Sequence, residues 1–168
     1  MKYFVLTVLR LYGELAEIYD ALDKTALSAA LSVTRDAEEL CEYLMDLNDK
    51  KRIVSNLKVL YDKIVSAAGD DADALISYAL GLSAEEIAEK ENVNRSTAAR
   101  RVGRATEHGI RALGEAGIDE KKIESEYFTL PLIKTVYDKA AARTRTNFSR
   151  HSRAVSSSFS LAARVETA

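Results

Sequence analysis

The sequence has no tryptophan, a single proline, a single cysteine and only seven glycines in 168 residues. One cysteine, Cys41, cannot close an internal disulfide. That excludes a disulfide-stapled secreted scaffold and makes a reducing, cytoplasmic setting the expectation. So little proline and glycine, in a chain rich in Ala, Leu, Glu, Lys and Arg, favours helix throughout. Apolar runs are short as well, and none approaches the ~18 residues a membrane-spanning helix needs. The opening stretch MKYFVLTVLRLYG is cut by Arg10 and lacks a small-residue cleavage site, so it reads as the start of a core helix and not a signal peptide. Chemistry-bearing groups are scarce too. There are two histidines, His108 and His151, no glycine-rich phosphate loop, no Cys-x-x-Cys and no His-x-x-x-His pair. Cys41 sits in a Leu-rich helical context and reads as a buried thiol. Adjacent carboxylates such as Glu85 and Glu86 do not face each other on a helix. Neither catalysis nor a metal or cofactor is expected.

What is present is an uneven charge. The net charge of −2 divides into −8 over residues 1–91, +3 over 92–118, −1 over 119–142 and +4 over 143–168. An acidic body with a basic segment and a basic tail points any polyanion to the second half of the chain.

Hydrophobic spacing gives the elements. Phe4, Val8, Leu11, Leu15, Ile18 and Leu22 recur every three or four residues, one apolar stripe on a helix from Tyr3 to Leu22. Residues 24–34 read as a loop or as more of the same helix. Thr34 is a candidate N-cap, with Asp36, Glu38 and Glu39 in the first turn. A second stripe runs Ala37, Leu40, Leu44, Leu47, Ile53, Leu57, Leu60, Ile64 and Ala68. It predicts one long helix over about 36–67, with a turn at Asn48-Asp49 as the competing reading. The two helices would form a hairpin, and the Leu-rich seam could pack within the subunit or against a second copy as a homodimer. Gly69 can end the long helix in a left-handed conformation, and Asp70 or Asp71 can open a short helix over 73–80.

The stretch 81–113, GLSAEEIAEKENVNRSTAARRVGRATEHGIRAL, carries the densest local signal. Ser83 followed by Glu86 is a capping box for a helix over 84–91. Asn92 tolerates a left-handed conformation, Val93 is an apolar plug and Asn94 caps the next helix. On that helix, over about 95–112, Ala98, Val102, Ala105 and Gly109 form the inward face. Ser96, Arg100, Gly103 and Glu107 lie opposite, with Arg104 close by. Arg95 and Ala99 sit at one edge, Thr97 and Arg101 at the other. This is the layout of a helix-turn-helix. Residues early on its second helix reach base edges, while Arg101 and Arg104 suit phosphate contacts, and small Ala99 and Gly103 would let the backbone approach a groove. The candidate DNA-binding set is Asn94, Arg95, Ser96, Thr97, Ala99, Arg100, Arg101 and Arg104.

On these residues the segment resembles the DNA-binding helix-turn-helix of the fourth conserved region of bacterial sigma factors. Gly81, Leu82, Ser83, Glu86, Ile87, Ala88, Thr97, Arg101, Arg104 and Ala105 fall at matching positions. The likeness covers about thirty residues. It departs at Glu91, where an apolar residue usually packs, and at Ala98, where Val or Ile is usual. The layout is also similar to small phage or prophage transcriptional regulators, whereas nothing before Asp73 matches the other regions of a full sigma factor. The resemblance implies a transcriptional regulator that binds double-stranded DNA, with RNA polymerase as a further partner.

Beyond the motif, Gly114 and Gly117 end the second helix and Asp119 caps another through about Tyr127. Pro131 opens a last helix over 132–142 with Leu132, Val136 and Ala140 on its packed side. Tyr127 and Phe128 read as core. The Ser- and Arg-rich residues 143–168 are expected to be disordered, with Arg143, Arg145, Arg150 and Arg153 available to phosphate. The expected protein is all-α. It has a helical hairpin over 1–68, a helix-turn-helix domain over 69–118, C-terminal helices over 119–142 and the basic tail. Two other functions fit the same features: a phage DNA-packaging factor resembling a terminase small subunit, and an interaction module for polymerase or a sigma factor.

Overall fold

The structure is a computed structural model that describes residues 1–31 and 37–143, the side chains of some residues between 13 and 40 aside. Thr34, Asp36 and residues 144–168 lie outside the described residues. Every regular element among those described is helical, and no described helix is long and apolar enough to cross a membrane. The order is α1 (Lys2–Leu31), α2 (Ala37–Ala68), a tight turn (Gly69–Asp71), α3 (Ala72–Leu80), α4 (Ala84–Glu91) and α5 (Arg95–Glu115). A short α6 (Glu120–Lys122) then widens into a π-turn (Ile123–Tyr127), and α7 spans 131–143.

The first two helices form the expected hairpin, but α1 runs past Leu22 to Leu31. No break occurs at Asn48-Asp49. Each of NDKKR is a tolerable helix residue, and the apolar stripe resumes in phase at Ile53. The stripe itself is shorter than the spacing suggests. Leu47, Val54, Leu57, Ile64 and Ala68 are buried, but Leu44 is partly exposed and Cys41 is exposed. Cys41 is six residues before Leu47, which at roughly 100° per residue sets it well off the buried side. The expected buried thiol is therefore at the surface.

Near its start α1 is buried on all sides, which one stripe did not anticipate. Phe4, Val5, Leu6, Thr7, Val8 and Leu9 are all buried, because α1 runs against α2, α3 and α5 together. The Thr7 hydroxyl is satisfied within the helix, donating to the Tyr3 carbonyl at 2.7 Å. Gly109 marks where α5 comes closest: a Cβ there would stand 3.1 Å from a Val5 methyl of α1 and 3.2 Å from an Ile64 methyl of α2.

The C-terminal helices close the remaining side of α1. Tyr127 is buried with its ring edge-on to Phe4 at 5.0 Å, and burial pushes its phenol up to about 12. Tyr137 of α7 meets Tyr3 and Phe128 by ring edges at 6.0 and 4.9 Å. The packed side of α7 is Ile133 and Val136, with Ala140 partly buried, while Leu132 is 43% exposed. This corrects the expected stripe by one position. Pro131 begins the helix one residue earlier, and the Ile133–Val136–Ala140 spacing fits the helical period as well as the Leu132 series does. Residues from the hairpin, the helix-turn-helix and the extension enter one contiguous core running from Phe4 to Val136.

Candidate nucleic-acid interface

Local caps build the helix-turn-helix. Gly81 ends α3 with φ of 120°, and Leu82 N–H closes back on Ser77 at 3.1 Å, a Schellman ending that needs the glycine. Ser83 and Glu86 form the reciprocal capping box at the start of α4. The Ser83 N–H donates to Glu86 Oε2 at 2.6 Å and the Glu86 N–H to Ser83 Oγ at 3.3 Å. Such a cap contributes about 1 kcal/mol, and the hydrogen bond from the Ser83 N–H, followed by one from the Ser83 hydroxyl, holds the Glu86 carboxyl below its ordinary value. Asn92 takes the left-handed conformation at φ 52°, and Val93 N–H bonds Ala88 at 3.0 Å. Asn94 Oδ1 then accepts the Thr97 N–H at 2.8 Å and the Ser96 hydroxyl at 2.7 Å, opening α5.

Inward, Ile87, Ala98 and Ala105 are wholly buried, and Ala88, Val102 and Gly109 are buried beside them. Ala98, smaller than the Val or Ile of the sigma-like pattern, is fully buried. Thr106 is buried one turn on, its hydroxyl bonded to the Val102 carbonyl at 2.6 Å. Lys90 donates to Ser77 Oγ at 2.9 Å and ties α4 to α3.

Outward, Asn94, Arg95, Ser96, Ala99, Arg100 and Arg104 are exposed on the first three turns of α5, and Thr97 and Arg101 are half-buried at its edge. Their electrostatic state differs from that of a bare basic face. Arg95 Nε pairs with Glu85 of α4 at 2.7 Å. Arg101 Nη1 pairs with Glu91 at 2.7 Å and lies 3.9 Å from Asp71 through Nε. Arg104 Nε donates to Asp71 Oδ2 at 2.7 Å. Among the described residues Arg100 has no ion-pair partner, and it points from the same side as Ser96 and Gly103.

Two of these partners change the reading of the sequence. Asp71 sits at the N-cap of α3 but makes no capping bond, so it does not open that helix in the expected way. Its carboxylate, nearly buried, faces α5 instead, and the hydrogen bond from Arg104 holds its pKa below the ordinary value, with Arg104, Arg101 and His108 charges adding. Asp71 and Arg104 are 33 residues apart, and no local signal in the sequence joins them. Glu91, by contrast, was visible as a departure from the sigma-like pattern. Its carboxylate accepts from Arg101 Nη1 at 2.7 Å, an ion pair that joins the end of α4 to α5.

Beside α5 runs a shallow groove lined by Ala99, Gly103 and Ile110 on one side and by Tyr78, Ala84 and Lys2 on the other. No Cβ placed on Gly103 would meet anything within 4 Å, so the backbone of α5 is open to a close-fitting partner there. His108 is engaged away from this face, its Nδ1 at 3.1 Å from the Ala67 carbonyl. Set against protein-family models, curated proteins and solved structures, the chain matches none of them.

Proposed function

We propose that the chain binds double-stranded DNA in a sequence-specific way and acts as a transcriptional regulator, with the first half of α5 as its reading element. One observation carries this: a doubly capped helix–turn–helix whose second helix exposes Arg95, Ser96, Ala99 and Arg100 in its first two turns, above a wholly buried inner face. Arg100 is free to bond two acceptors of a guanine edge, and Arg95 is held only by an exposed pair worth about 0–1 kcal/mol, which a base or phosphate can displace. Arg101 and Arg104 are held more firmly, and their unused N–H groups suit phosphate.

The test is selection of bound duplexes from a random pool at stated salt, followed by binding of the Arg95→Ala/Arg100→Ala variant to the selected duplex. Loss of the preference for that duplex over a random one, by about 10-fold or more, is the expected result. A folded variant with unchanged preference would sink the reading. A second reading has its own support. The outer side of α4 presents Glu85, Glu86 and Glu89, an acidic surface suited to a basic patch on another protein such as RNA polymerase. Salt-independent absence of duplex binding, together with co-purification of polymerase, would favour it.

A further inference from the structure

Asp71 and Glu91 reach one edge of α5 from outside that helix, the first from the turn after α2 and the second from the end of α4. Asp71 Oδ2 accepts from Arg104 Nε at 2.7 Å, and its Oδ1 is 3.9 Å from Arg101 Nε. Glu91 Oε2 accepts from Arg101 Nη1 at 2.7 Å. The two acids are well covered, with side chains 10% and 17% exposed, whereas those of Arg101 and Arg104 are 36% and 54% exposed. Such pairs differ from an exposed one. Drawing either arginine away would leave a carboxylate with little water to replace it.

The anchoring atoms set the direction of each arginine. Arg104 is held through Nε, and among the described residues neither of its Nη groups has a hydrogen-bond or ion-pair partner. Arg101 is held through Nε and Nη1 and keeps Nη2. Charge cancels at the same time, since two guanidinium groups face two carboxylates. Neighbouring cations are engaged as well. Arg95 pairs with Glu85, and Lys90 donates to the Ser77 hydroxyl. Arg143, expected to be part of a free basic tail, is the last helical residue of α7. It donates through Nη2 to the Gly81 carbonyl and lies 5.9 Å from the Tyr78 ring.

Sequence-independent affinity for a duplex comes from phosphates that Lys and Arg neutralise. An arginine whose charge is cancelled by its own acid adds little to that affinity. Its fixed N–H groups still bond a phosphate that falls where they already point. We propose that Asp71 and Glu91 are specificity-determining positioning residues of the α5 site, on the reading of α5 as a DNA-binding element. They withhold the charge of Arg101 and Arg104 from duplexes in general and aim the remaining N–H groups at the phosphates beside a correctly seated α5.

The experiment titrates the full chain and its Asp71→Asn/Glu91→Gln, Glu91→Gln and Asp70→Asn variants with a selected duplex and a random duplex of equal length, between about 50 and 200 mM salt. Asp70 is exposed and has no ion pair among the described residues, so its variant removes one acid without freeing an arginine. The double variant should bind the random duplex about 10-fold more tightly, with a salt slope steeper by about one to two, and its preference for the selected duplex should fall. Glu91→Gln alone should move the same way by about 3-fold, and Asp70→Asn should keep the preference of the parent. A merely structural role would weaken binding to both duplexes together. A double variant that binds the random duplex no more tightly, or keeps the preference of the parent, therefore overturns the proposal and leaves the α5 reading standing. So does an Asp70→Asn variant that matches the double variant. Should the double variant not fold, Glu91→Gln decides by the same criteria. A parent that binds both duplexes alike, or neither, removes the α5 reading and the proposal with it.

Discussion

Arg104 donates its Nε hydrogen to the carboxylate of Asp71 at 2.7 Å, which ties the third turn of α5 to the turn between α2 and α3. Arg101 approaches the same carboxylate at 3.9 Å and holds Glu91 on its other side. Four side chains from three segments thus share one alternating set of charges, and α5 is tied to an acid outside the helix-turn-helix.

Asp71 makes this arrangement sensitive to acid. Its folded pKa is depressed, first by the Arg104 hydrogen bond, so its contribution is present above the unfolded value of ~3.9 and lost as pH falls from there through the folded value. Near neutral pH, Asp71→Asn should lower stability by about 1–2 kcal/mol. The gap from the parent should narrow as pH falls through about 4 and close only below the depressed folded value, measured as thermal midpoints. Parallel curves for parent and variant would show that the pair contributes nothing to folding.

The Glu91–Arg101 pair should register in a double-mutant cycle. Its side chains are 17% and 36% exposed, between a surface pair and a buried one, so Glu91→Ala and Arg101→Ala should couple by about 1 kcal/mol in denaturant unfolding. The coupling should shrink as salt rises. Glu91→Leu should cost little, since an apolar side chain of similar size can occupy the place the pair now fills. A coupling of zero would mean that the acid is merely tolerated there.

Gly103 and Gly109 are six residues apart on one helix and should respond oppositely to alanine. Gly103→Ala adds a methyl to open space, so only the helix propensity changes, and stability should rise by about 0.5–1 kcal/mol. Gly109→Ala gains the same propensity but drives its methyl against Val5 and Ile64, both wholly buried and stiff at χ1. Overpacking of about 1–3 kcal/mol outweighs the gain, and the variant should be less stable than the parent by about 1 kcal/mol. Equal thermal midpoints for the two variants would contradict this.

The helix-turn-helix was legible because its determinants are local. Ser83 and Glu86, Asn94 and Thr97, and the left-handed Asn92 act across three residues or fewer, so composition and spacing carry them. The surroundings of α1 are not local. Residues between Phe4 and Leu9 are buried by groups as distant as Ile64, Gly109 and Tyr127, and a periodic stripe records one neighbour, not three. The same holds at the candidate site. The arginines could be found from the wheel, but their state could not, since Asp71 reaches them from 33 residues away in one case. Leu132 and Ile133 were indistinguishable by period, and the ring contacts of Tyr137 decide which side of α7 is packed.

The edge contact between Phe4 and Tyr127 bears on how the chain is made. These rings are 123 residues apart, so at ribosomal rates of ~5–20 residues per second about 6–25 s pass between the synthesis of one and the other. During that interval α2 can cover one side of α1, but the side that Tyr127 and Ile133 close has no cover. A nascent chain stalled before residue 123 would present that bare aliphatic side to chaperones, and release from them should coincide with emergence of the π-turn and α7.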